Sequence, residues 1–540
     1  MSAHDAPFFA EHDLSPAAVP ADDSGAAESM IFRMPIVLIS LYSTDAIGLR
    51  YLAGVLENHG FRVSIVFFKE LYLTADLMTL PTEKEYIILI DLLKKLAPGL
   101  VGISLRSAYS RIAASITEHI KRELSIPVIW GGTHPTIDPE ECLGQADMVC
   151  IGEGEYPLLE LAERLSAGAD YASVPNLWIR RDGRIIKNDV RPLILDLDSL
   201  PFPVYGDEDK YLIENEAVTA ADPALRTYNL NILASRGCPY HCAYCCNSLL
   251  RQISGGQGSW VRRRSVDNVM EEILRLKDRF PNLKRIDFID EVFAWDRTWT
   301  ASFIKRYQQE VRLPFQCAQH PLMVDREILT MLKNAGLERV EIGVQSGSEH
   351  IRKDYFERPV SDEKILEASR LMTSMGIVPF YDVIVDNPFE TERDRKDGLE
   401  LLLRLSRPFH LHLFSLKYFP HTATTRRALA AGMISADRVE GRGPETSHRM
   451  FVTLNDPRPA SDRFWISMYS LVSKSFIPRC VIRWLSRRRF LSRNPAPLLL
   501  IASVANTLKL GIIALGWLFQ GKPVFSTLRH TSRRKTSPII

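Results

Sequence analysis

The chain has 540 residues, 46% of them hydrophobic and 24% charged, which is enough for two to four domains with substantial cores. Eight cysteines in so long a chain exclude a small disulfide-stapled secreted protein and indicate a reducing cytoplasm. The net charge of +2 hides an asymmetry, because residues 426–540 hold 20 Lys and Arg against 5 Asp and Glu. The rest of the chain holds 47 against 60, so an acidic body carries a basic C-terminal region.

The sequence pattern divides the chain into five segments. Residues 1–33 are rich in Ala, Asp, Ser and Pro and lack the features of a signal peptide, which predicts a disordered leader. Residues 34–170 alternate β-branched runs with amphipathic stretches, which predicts five parallel strands in a doubly wound, Rossmann-like α/β domain. Residues 171–225 are proline-rich and turn-prone, which predicts an irregular linker. Residues 226–425 repeat the alternation over six units, which predicts a partial (β/α)6 barrel, and residues 426–540 are predicted to form a helical basic region.

Short polar or glycine-bearing segments follow the strands predicted in residues 34–170. In doubly wound sheets, ligands bind at the carboxyl ends of the strands, where these segments lie. Glycine in such a segment lets the backbone approach a bulky flat ligand closely, although an ordinary βα turn is the alternative for each segment. The candidate ligand-contacting residues in them are Ser104, Gly131, Gly132, Gly152 and Glu153.

A cluster of cysteines, ASRGCPYHCAYCCN, follows the first strand predicted in the barrel. Cys238, Cys242 and Cys245 have the spacing C-x3-C-x2-C, and thiolates bind soft metals, so zinc, an iron-sulfur cluster and redox thiols are the candidates. A zinc site would need a further Cys or His pair downstream, and a redox site would need an isolated pair that opens a helix. The spacing therefore favours a 4Fe-4S cluster with one open iron, and Cys246 is predicted to belong to the following turn.

The three cysteines, with Tyr244 before the last of them, resemble the C-x3-C-x-aromatic-C signature of the radical S-adenosylmethionine (radical SAM) enzymes. The segment FIDEVF resembles the acidic segment that binds the amino group of SAM, which implies this role for Asp290 and Glu291. The segment EIGVQSGSE resembles the one near the SAM ribose, which implicates Gln345 and Ser346.

A further segment, DVIVDNPFET, resembles the motif beside the SAM adenine, but Asp386 and Asn387 stand where relatives commonly have glycine. The N-terminal domain, with its GGTHP and GEGE segments, resembles the cobalamin-binding domain of cobalamin-dependent radical SAM enzymes. Together, these resemblances cover about residues 34–425. The first loop reads STDAIGLR and lacks the D-x-H-x-x-G histidine, so the resemblance implies cobalamin with its base detached and no histidine on cobalt; an empty domain is the alternative.

The resemblance implies a 4Fe-4S cluster, SAM and cobalamin as cofactors, an external low-potential electron donor and a small-molecule substrate. It implies a reaction in which a substrate radical takes a methyl group from methylcobalamin, so that an unactivated carbon is methylated. The alternative that keeps the same cofactors is an oxidative cyclase or ring-rearranging enzyme of tetrapyrrole or isoprenoid type. A non-catalytic sensor of cobalamin or redox state is the alternative of a different class.

The basic C-terminal region predicts an anionic partner. After Asp462 there is no acidic residue, while fourteen Lys and Arg occur, including Arg483, Arg487, Arg488, Arg489 and Arg493. Residues 497–519 are almost wholly apolar and long enough to span a bilayer, but a central Lys509 costs about 2.5–3.5 kcal/mol on insertion. Lying in the interface and packing on the barrel are therefore the alternatives. We predict peripheral attachment to the cytoplasmic face of an anionic membrane and, by extension, a lipophilic substrate; modules that bind nucleic acid are absent.

Overall fold

The computed structural model describes residues 33–70, 79–256, 258–442, 452, 454 and 457–519. The predicted leader lies outside these residues except for Arg33, and residues 520–540 of the basic region lie outside them as well. The strands are β1 (Arg33–Leu41), β2 (Phe61–Phe68), β3 (Leu100–Ser104), β4 (Val128–Gly131), β5 (Met148–Cys150), β6 (Leu177–Arg181), β7 (Arg184–Lys187), β8 (Lys210–Glu214), β9 (Ala217–Ala220), β10 (Asn229–Ile232), β11 (Ser235–Arg236), β12 (Arg262–Arg263), β13 (Arg285–Phe288), β14 (Phe315–Gln319), β15 (Leu337–Gln345), β16 (Pro379–Val385) and β17 (His410–Ser415). The α-helices are α1 (Ile47–Asn58), α2 (Glu83–Leu96), α3 (Ser110–Glu123), α4 (Thr133–Ile137), α5 (Pro139–Cys142), α6 (Glu155–Ser166), α7 (Cys246–Ile253), α8 (Val266–Lys277), α9 (Arg297–Glu310), α10 (Arg326–Asn334), α11 (Asp362–Ser374), α12 (Glu392–Arg404), α13 (Ala423–Ala430), α14 (Ala460–Val472), α15 (Arg479–Ser486), α16 (Arg489–Arg493) and α17 (Ala496–Phe519).

The first sheet has the strand order β7-β6-β5-β4-β3-β1-β2-β8-β9. Strands β1 to β5 are the five that the sequence predicts, and each pair that they form is parallel. The strand order reverses at β1, where the chain moves from one half of the sheet to the other. This doubly wound arrangement confirms the predicted fold and places the binding crevice at the carboxyl ends of β1 and β3.

The segment 171–225 differs from the irregular linker that the sequence predicts, because it adds four strands to the first sheet. Strands β6 and β7 form an antiparallel hairpin on β5, while β8 pairs in parallel with β2 and turns back as β9. The turn residues Asp182 and Gly183 have φ angles of 51° and 72°, as the tightest hairpin turns require. The strands are only four or five residues long and lie at sheet edges, where apolar alternation is weak.

The second sheet contains six parallel strands in the order β10-β13-β14-β15-β16-β17. Helices α8 to α12 cross between successive strands, so the predicted partial (β/α)6 barrel is confirmed. Aromatic side chains fill the core near β13; for example, the rings of Phe288 and Phe303 meet edge to face at 5.4 Å. The chain reaches the cysteine cluster directly after β10 and the β11 strand, at the carboxyl end of the barrel.

The described part of the C-terminal region is helical, as predicted, and α14 packs along α12 on the outside of the barrel. The Trp465 indole donates to Glu392, and the Tyr469 hydroxyl donates to the Arg395 carbonyl, each over 3.0 Å. The structure describes no helix whose length and apolar content would let it cross a membrane. Lys509 is outside the residues whose side chains are described.

Candidate active site

The cysteine loop is held against the barrel on both sides. Cys242 is buried, and Cys238 and Cys245 are half-buried. Gly237 has a φ of 89°, and a Cβ at this position would overlap the backbone oxygen of Trp260, so only glycine fits before Cys238. The Ala243 amide donates to the Phe356 carbonyl over 2.9 Å, which ties the middle of the loop to the segment that follows β15.

Among the described residues, one trio of metal-ligating side chains has ligand atoms that all lie within 4.8 Å of one another: His134, Glu141 and Cys142, on α4 and α5. Burial raises the pKa of Cys238 to about 11, so its free thiol is protonated and metal binding must release the proton.

Cys246 is the first residue of α7, and its thiol is hydrogen-bonded with that of Cys245. Tyr244 packs edge to face against Phe356, with 4.7 Å between the ring centroids. Both residues therefore support the loop from behind.

Arg358 is a site residue that sequence reasoning missed. Its side chain is buried, and it donates to the Cys242 sulfur over 3.4 Å and to the Gly343 carbonyl over 2.7 Å. It follows a single π-helical turn, Ile351–Tyr355, a feature that often marks functional sites. The spacing from the EIGVQSGSE segment to an isolated arginine carries no recognisable pattern, so only the fold could bring the two together.

Asp290 and Glu291 are adjacent in sequence but differ in environment. The Asp290 carboxylate is buried and accepts hydrogen bonds from the Ser235 hydroxyl and, over 3.2 Å, from the Ala234 amide. Glu291 is exposed, and its negative charge adds to the effect of burial in raising the pKa of Cys238. Asp290 therefore braces the start of the cysteine loop, and Glu291 is the carboxylate that lies open to a ligand beside the thiols.

We expect Asp290→Asn to remove a pH dependence of stability. Burial raises the pKa of Asp290 from 3.8 to about 6, so its protonated form stabilises the fold fully below pH 4, and this stabilisation is lost as the pH rises through 6. About two pKa units correspond to ~3 kcal/mol. Chemical denaturation at pH 4 to 7 should show the free energy of unfolding shifting by this amount in favour of the variant. Glu291→Gln is the control, and parallel profiles for wild type and Asp290→Asn would contradict the prediction.

Gln345 and Ser346 end β15, and their side chains are placed differently. Gln345 has a φ of 69°, is half-buried and folds its amide over Gly343 beside Arg358. Ser346 is completely buried, and its hydroxyl donates to Glu390 over 3.1 Å. Burial raises the pKa of Glu390 to about 7. Of the two residues predicted near the ribose, Gln345 is thus the one whose side chain lies at the barrel mouth.

The departure at Asp386 and Asn387 has a backbone explanation. Asp386 has a φ of 59°, a conformation that glycine adopts freely and that aspartate tolerates. Its carboxylate accepts from the Ser415 hydroxyl over 2.7 Å and pairs with Arg458 over 3.0 Å, so the side chain is used to fix the loop. The loop therefore keeps the shape that a glycine would give.

The five residues predicted to contact a ligand in the first domain line one cavity of about 270 Å³. Apolar side chains such as Ile103 and Ile129 form its floor, and Leu233 and Arg236 of the second domain form part of its wall. Gly132 has a φ of 100°, and a Cβ there would lie 2.9 Å from the Leu105 carbonyl oxygen. A narrow, largely apolar cavity with glycine edges fits a flat heterocyclic base. His59 and His134 do not line it.

Glu153 lines the cavity, and its side chain also binds the barrel domain. Arg236 donates to Glu153 over 2.8 Å and to Glu155 over 2.7 Å, and Arg262 donates to Glu153 over 2.9 Å. Burial favours the neutral form of Glu153, but the charges of Arg236 and Arg262 outweigh it and lower the pKa. The GEGE segment thus joins the two domains through partly buried ion pairs, whose partners are 81 to 109 residues apart in the sequence.

A second cavity, of about 320 Å³, shares Gly132, Gly152, Glu153 and Arg236 with the first. It also reaches Gly237 and Asn247, which flank the cysteine cluster. The two cavities are therefore neighbours, one at the strand ends of the first domain and the other beside residues that flank the cysteine loop of the second.

Comparison with known families identifies both domains. The B12 binding domain family matches residues 35–162, and the Radical SAM superfamily matches residues 232–402. The chain is a cobalamin-dependent radical SAM enzyme. Its cofactors are accordingly cobalamin, SAM and a 4Fe-4S cluster, as the resemblance in the sequence implied.

Characterised and uncharacterised relatives of this radical SAM enzyme span most of its two domains. An uncharacterized methyltransferase of Pyrococcus horikoshii is 24% identical over 64% of this chain and 72% of its own length. The cytidylyl-2-hydroxyethylphosphonate methyltransferase of Streptomyces wedmorensis is 26% identical over 62% of this chain and 67% of its own. The anaerobic magnesium-protoporphyrin IX monomethyl ester cyclase of Synechocystis is also 26% identical, over 62% of this chain and 64% of its own.

Two solved structures share the fold. The radical SAM methyltransferase TsrM from Kitasatospora setae, with cobalamin and a [4Fe-4S] cluster bound, superimposes with a TM-score of 0.59 at 16% identity, covering 87% of this chain and 99% of TsrM. The cobalamin-dependent radical enzyme OxsB superimposes with a TM-score of 0.60 at 17% identity, covering 85% of this chain and 72% of OxsB. These two structures show the shared fold, and the sequence matches above show that the enzyme is related to methyltransferases.

Proposed function

We propose that this radical SAM enzyme methylates an unactivated carbon of a small, lipophilic substrate. The observation that carries the proposal is the closeness of two cavities that share lining residues, one at the glycine-edged strand ends of the first domain and the other beside the cysteine loop. A methyl carrier and a radical generator must both reach one substrate carbon, and the closeness of these cavities supports their being neighbours.

We assign the cluster to Cys238, Cys242 and Cys245, and the cavity of the first domain to cobalamin. A 4Fe-4S cluster supplies the electron that cleaves SAM, and cobalamin supplies a carrier for the methyl group. The chain's own residues bind and orient SAM through charge. Glu291 suits the ammonium group of SAM, and the buried Arg358 guanidinium, 3.4 Å from the Cys242 sulfur, suits its carboxylate.

The remaining contacts with SAM follow from the barrel mouth. We assign the SAM ribose to Gln345, because Ser346 already donates to Glu390. The Asp386 loop, shaped by Arg458 and Ser415, is assigned to the adenine. Tyr244 and Asp290 are assigned a supporting role behind the cluster and the loop.

A lipophilic substrate, an external low-potential electron donor and attachment to the cytoplasmic membrane face complete the proposal. The supports for the membrane and the substrate are the exposed apolar and basic side chains of the C-terminal helices. A second function, oxidative cyclisation or ring rearrangement, keeps the same cofactors and is favoured by the similarity to the Synechocystis cyclase.

Incubation with methyl-labelled SAM separates the two functions. We expect the anaerobically reconstituted enzyme, with hydroxocobalamin, a low-potential reductant and a total lipid extract of cells, to transfer label to a carbon of a lipid-soluble product. The aqueous extract, tested in parallel, should give far less label. Formation of 5′-deoxyadenosine with no label in any product would contradict methylation and support cyclisation. Label in an aqueous product alone would retain methylation and refute the lipophilic substrate.

A further inference from the structure

The exposed apolar side chains of this enzyme are concentrated in its C-terminal helices. Nineteen large hydrophobic residues are exposed among the described residues, and eight of them fall within residues 476–508. The eight are Phe476, Val481, Trp484, Phe490, Leu500, Ile501, Val504 and Leu508. Together with the exposed Arg487, Arg488, Arg489 and Arg493, they form the surface that we call the C-terminal face.

These residues are exposed although their helices are already packed. In α17, Leu498, Ala502 and Ala505 are buried at helical spacing, so the helix has satisfied one apolar stripe. Leu500 and Val504 lie outside that stripe and are 66% and 50% exposed. A soluble helix normally presents polar residues outside its buried stripe, so a second apolar stripe indicates an interaction surface.

Exposed arginines accompany the apolar residues. Arg487, Arg488, Arg489 and Arg493 are all exposed, and the Arg488 guanidinium lies 4.1 Å from the ring centroid of Trp484. Within the described part of the chain, none of the four has an ion-pair partner. Arg483 differs, because it pairs with Glu400 over 2.9 Å. No acidic residue follows Asp462 in the sequence, so the segment that forms this surface carries no negative side chain of its own.

We infer that the C-terminal face docks on a bilayer that contains anionic phospholipid. This inference deepens the proposed function, since it names the partner and the residues that bind it. Trp484 and Phe490 have the amphipathic or apolar rings that enter the interface, and the neighbouring arginines match the anionic headgroups. A protein partner would place individual carboxylates opposite individual arginines. A surface that is both basic and apolar suits a bilayer, which offers phosphate headgroups above a hydrocarbon layer.

The docking helix α15 is distant from the cysteine loop in the sequence. In the fold, it is held at the opposite end of the barrel strands from that loop. Arg479, at its start, donates to the Leu405 carbonyl over 2.6 Å, in the turn that precedes the amino end of β17. The cysteine loop follows the carboxyl end of β10. Substitutions on the C-terminal face should therefore leave the cleavage of SAM in solution unchanged.

Flotation with vesicles of phosphatidylcholine, with or without phosphatidylglycerol, tests the inference on the full-length enzyme. We expect partition onto anionic vesicles that weakens with salt, and little partition onto neutral ones. The variant R487Q/R488Q/R489Q should lose about fivefold in partition per arginine, or about a hundredfold in all. The variant W484Q/F490Q should also bind weakly to anionic vesicles.

Matched controls remove the same amount of positive charge, or an exposed apolar side chain, from other helices. K95Q/K305Q/R326Q removes three exposed cations from other helices, and Ile87→Gln replaces an apolar side chain that is 51% exposed. Equal losses in these controls, or equal partition onto neutral vesicles, would overturn the inference. Dissociation of a dimer by W484Q/F490Q in sedimentation velocity would assign the face to a second copy of the chain and also overturn it.

The same preparations keep this inference apart from the proposed function. Vesicle binding needs neither substrate nor reductant, and 5′-deoxyadenosine formation without vesicles measures the intact radical site. Vesicle binding by an enzyme that transfers no methyl label would refute only methylation. Methyl transfer by an enzyme that ignores anionic vesicles would refute the docking, and with it the proposed membrane attachment, but not methylation.

Discussion

Replacement of Cys238, Cys242 or Cys245 by alanine is expected to abolish both the 4Fe-4S cluster and SAM cleavage. Each thiolate would hold one corner of the cube, and groups that act as one unit lose activity together when any one is removed. We expect 5′-deoxyadenosine formation to fall by about a thousandfold or more in each variant. Iron and sulfide content, measured after anaerobic reconstitution, should fall with it.

Cys246→Ala is the matched control for these variants. Cys246 is the first residue of α7, directly after the last of the three cysteines, and its thiol is hydrogen-bonded with that of Cys245. We expect this variant to retain the iron, the sulfide and most of the activity. Loss of the cluster in Cys246→Ala with retention in Cys245→Ala would show that the assignment of the third ligand is wrong. Zinc alone in the wild-type protein would refute the cluster altogether.

The features that the sequence predicted correctly are those with local signals. Strands β1 to β5 and the six barrel strands are apolar runs bounded by turns, and each helix between them has its own apolar period. The cysteine spacing is likewise contained within eight residues, from Cys238 to Cys245. Local patterns of this kind predict structure correctly because the core requires apolar side chains at these positions.

Features that depend on distant partners could not be predicted. Asp290 and Glu291 are adjacent carboxylates that the sequence does not distinguish. The fold distinguishes them, because the Ser235 hydroxyl and the Ala234 amide donate hydrogen bonds to the Asp290 carboxylate. Ser346 lies within a motif implied to bind SAM, but Glu390, 44 residues later, takes its hydroxyl. A motif shows which residues reach the site, whereas its pairing partners decide which side chains remain open to a ligand.

Glu153 is the clearest example of this limit. The GEGE segment follows β5 at the edge where a ligand is expected, so the sequence predicts that Glu153 contacts the cofactor. The fold brings Arg236 and Arg262 to the same edge, and a carboxylate beside these two guanidinium groups pairs with them first. The residue still lines the cavity, but its charge serves the contact between the domains.

Arg236→Gln is expected to destabilise the enzyme strongly and to weaken cobalamin binding. Arg236 is 17% exposed in its side chain and binds two carboxylates, and their charges outweigh its burial and raise its pKa. Glutamine would leave Glu155 without this cation and Glu153 with Arg262 alone, and removal of one partner of a buried pair costs about 3–5 kcal/mol. The first thermal transition should fall by about 10 °C. Because both carboxylates and Arg236 line the cavity that we assign to cobalamin, we also expect the dissociation constant for hydroxocobalamin to rise about tenfold.

Two further variants test whether the geometry of this ion pair matters. Arg236→Lys keeps the charge but cannot donate to two separate carboxylates from a planar fork, so it should show an intermediate loss of stability and of cobalamin affinity. Arg251→Gln, on α7, removes an arginine that donates to His241 in the same part of the barrel and should leave both quantities near wild type. The order of the three variants in stability and in cobalamin affinity is the decisive observation. Arg236 is the residue at which the cavity wall and the cysteine loop meet, because it lies two residues before Cys238. If Arg236→Gln were as stable as Arg251→Gln and bound hydroxocobalamin equally well, the ion pairs between the domains would not hold the cavity in shape.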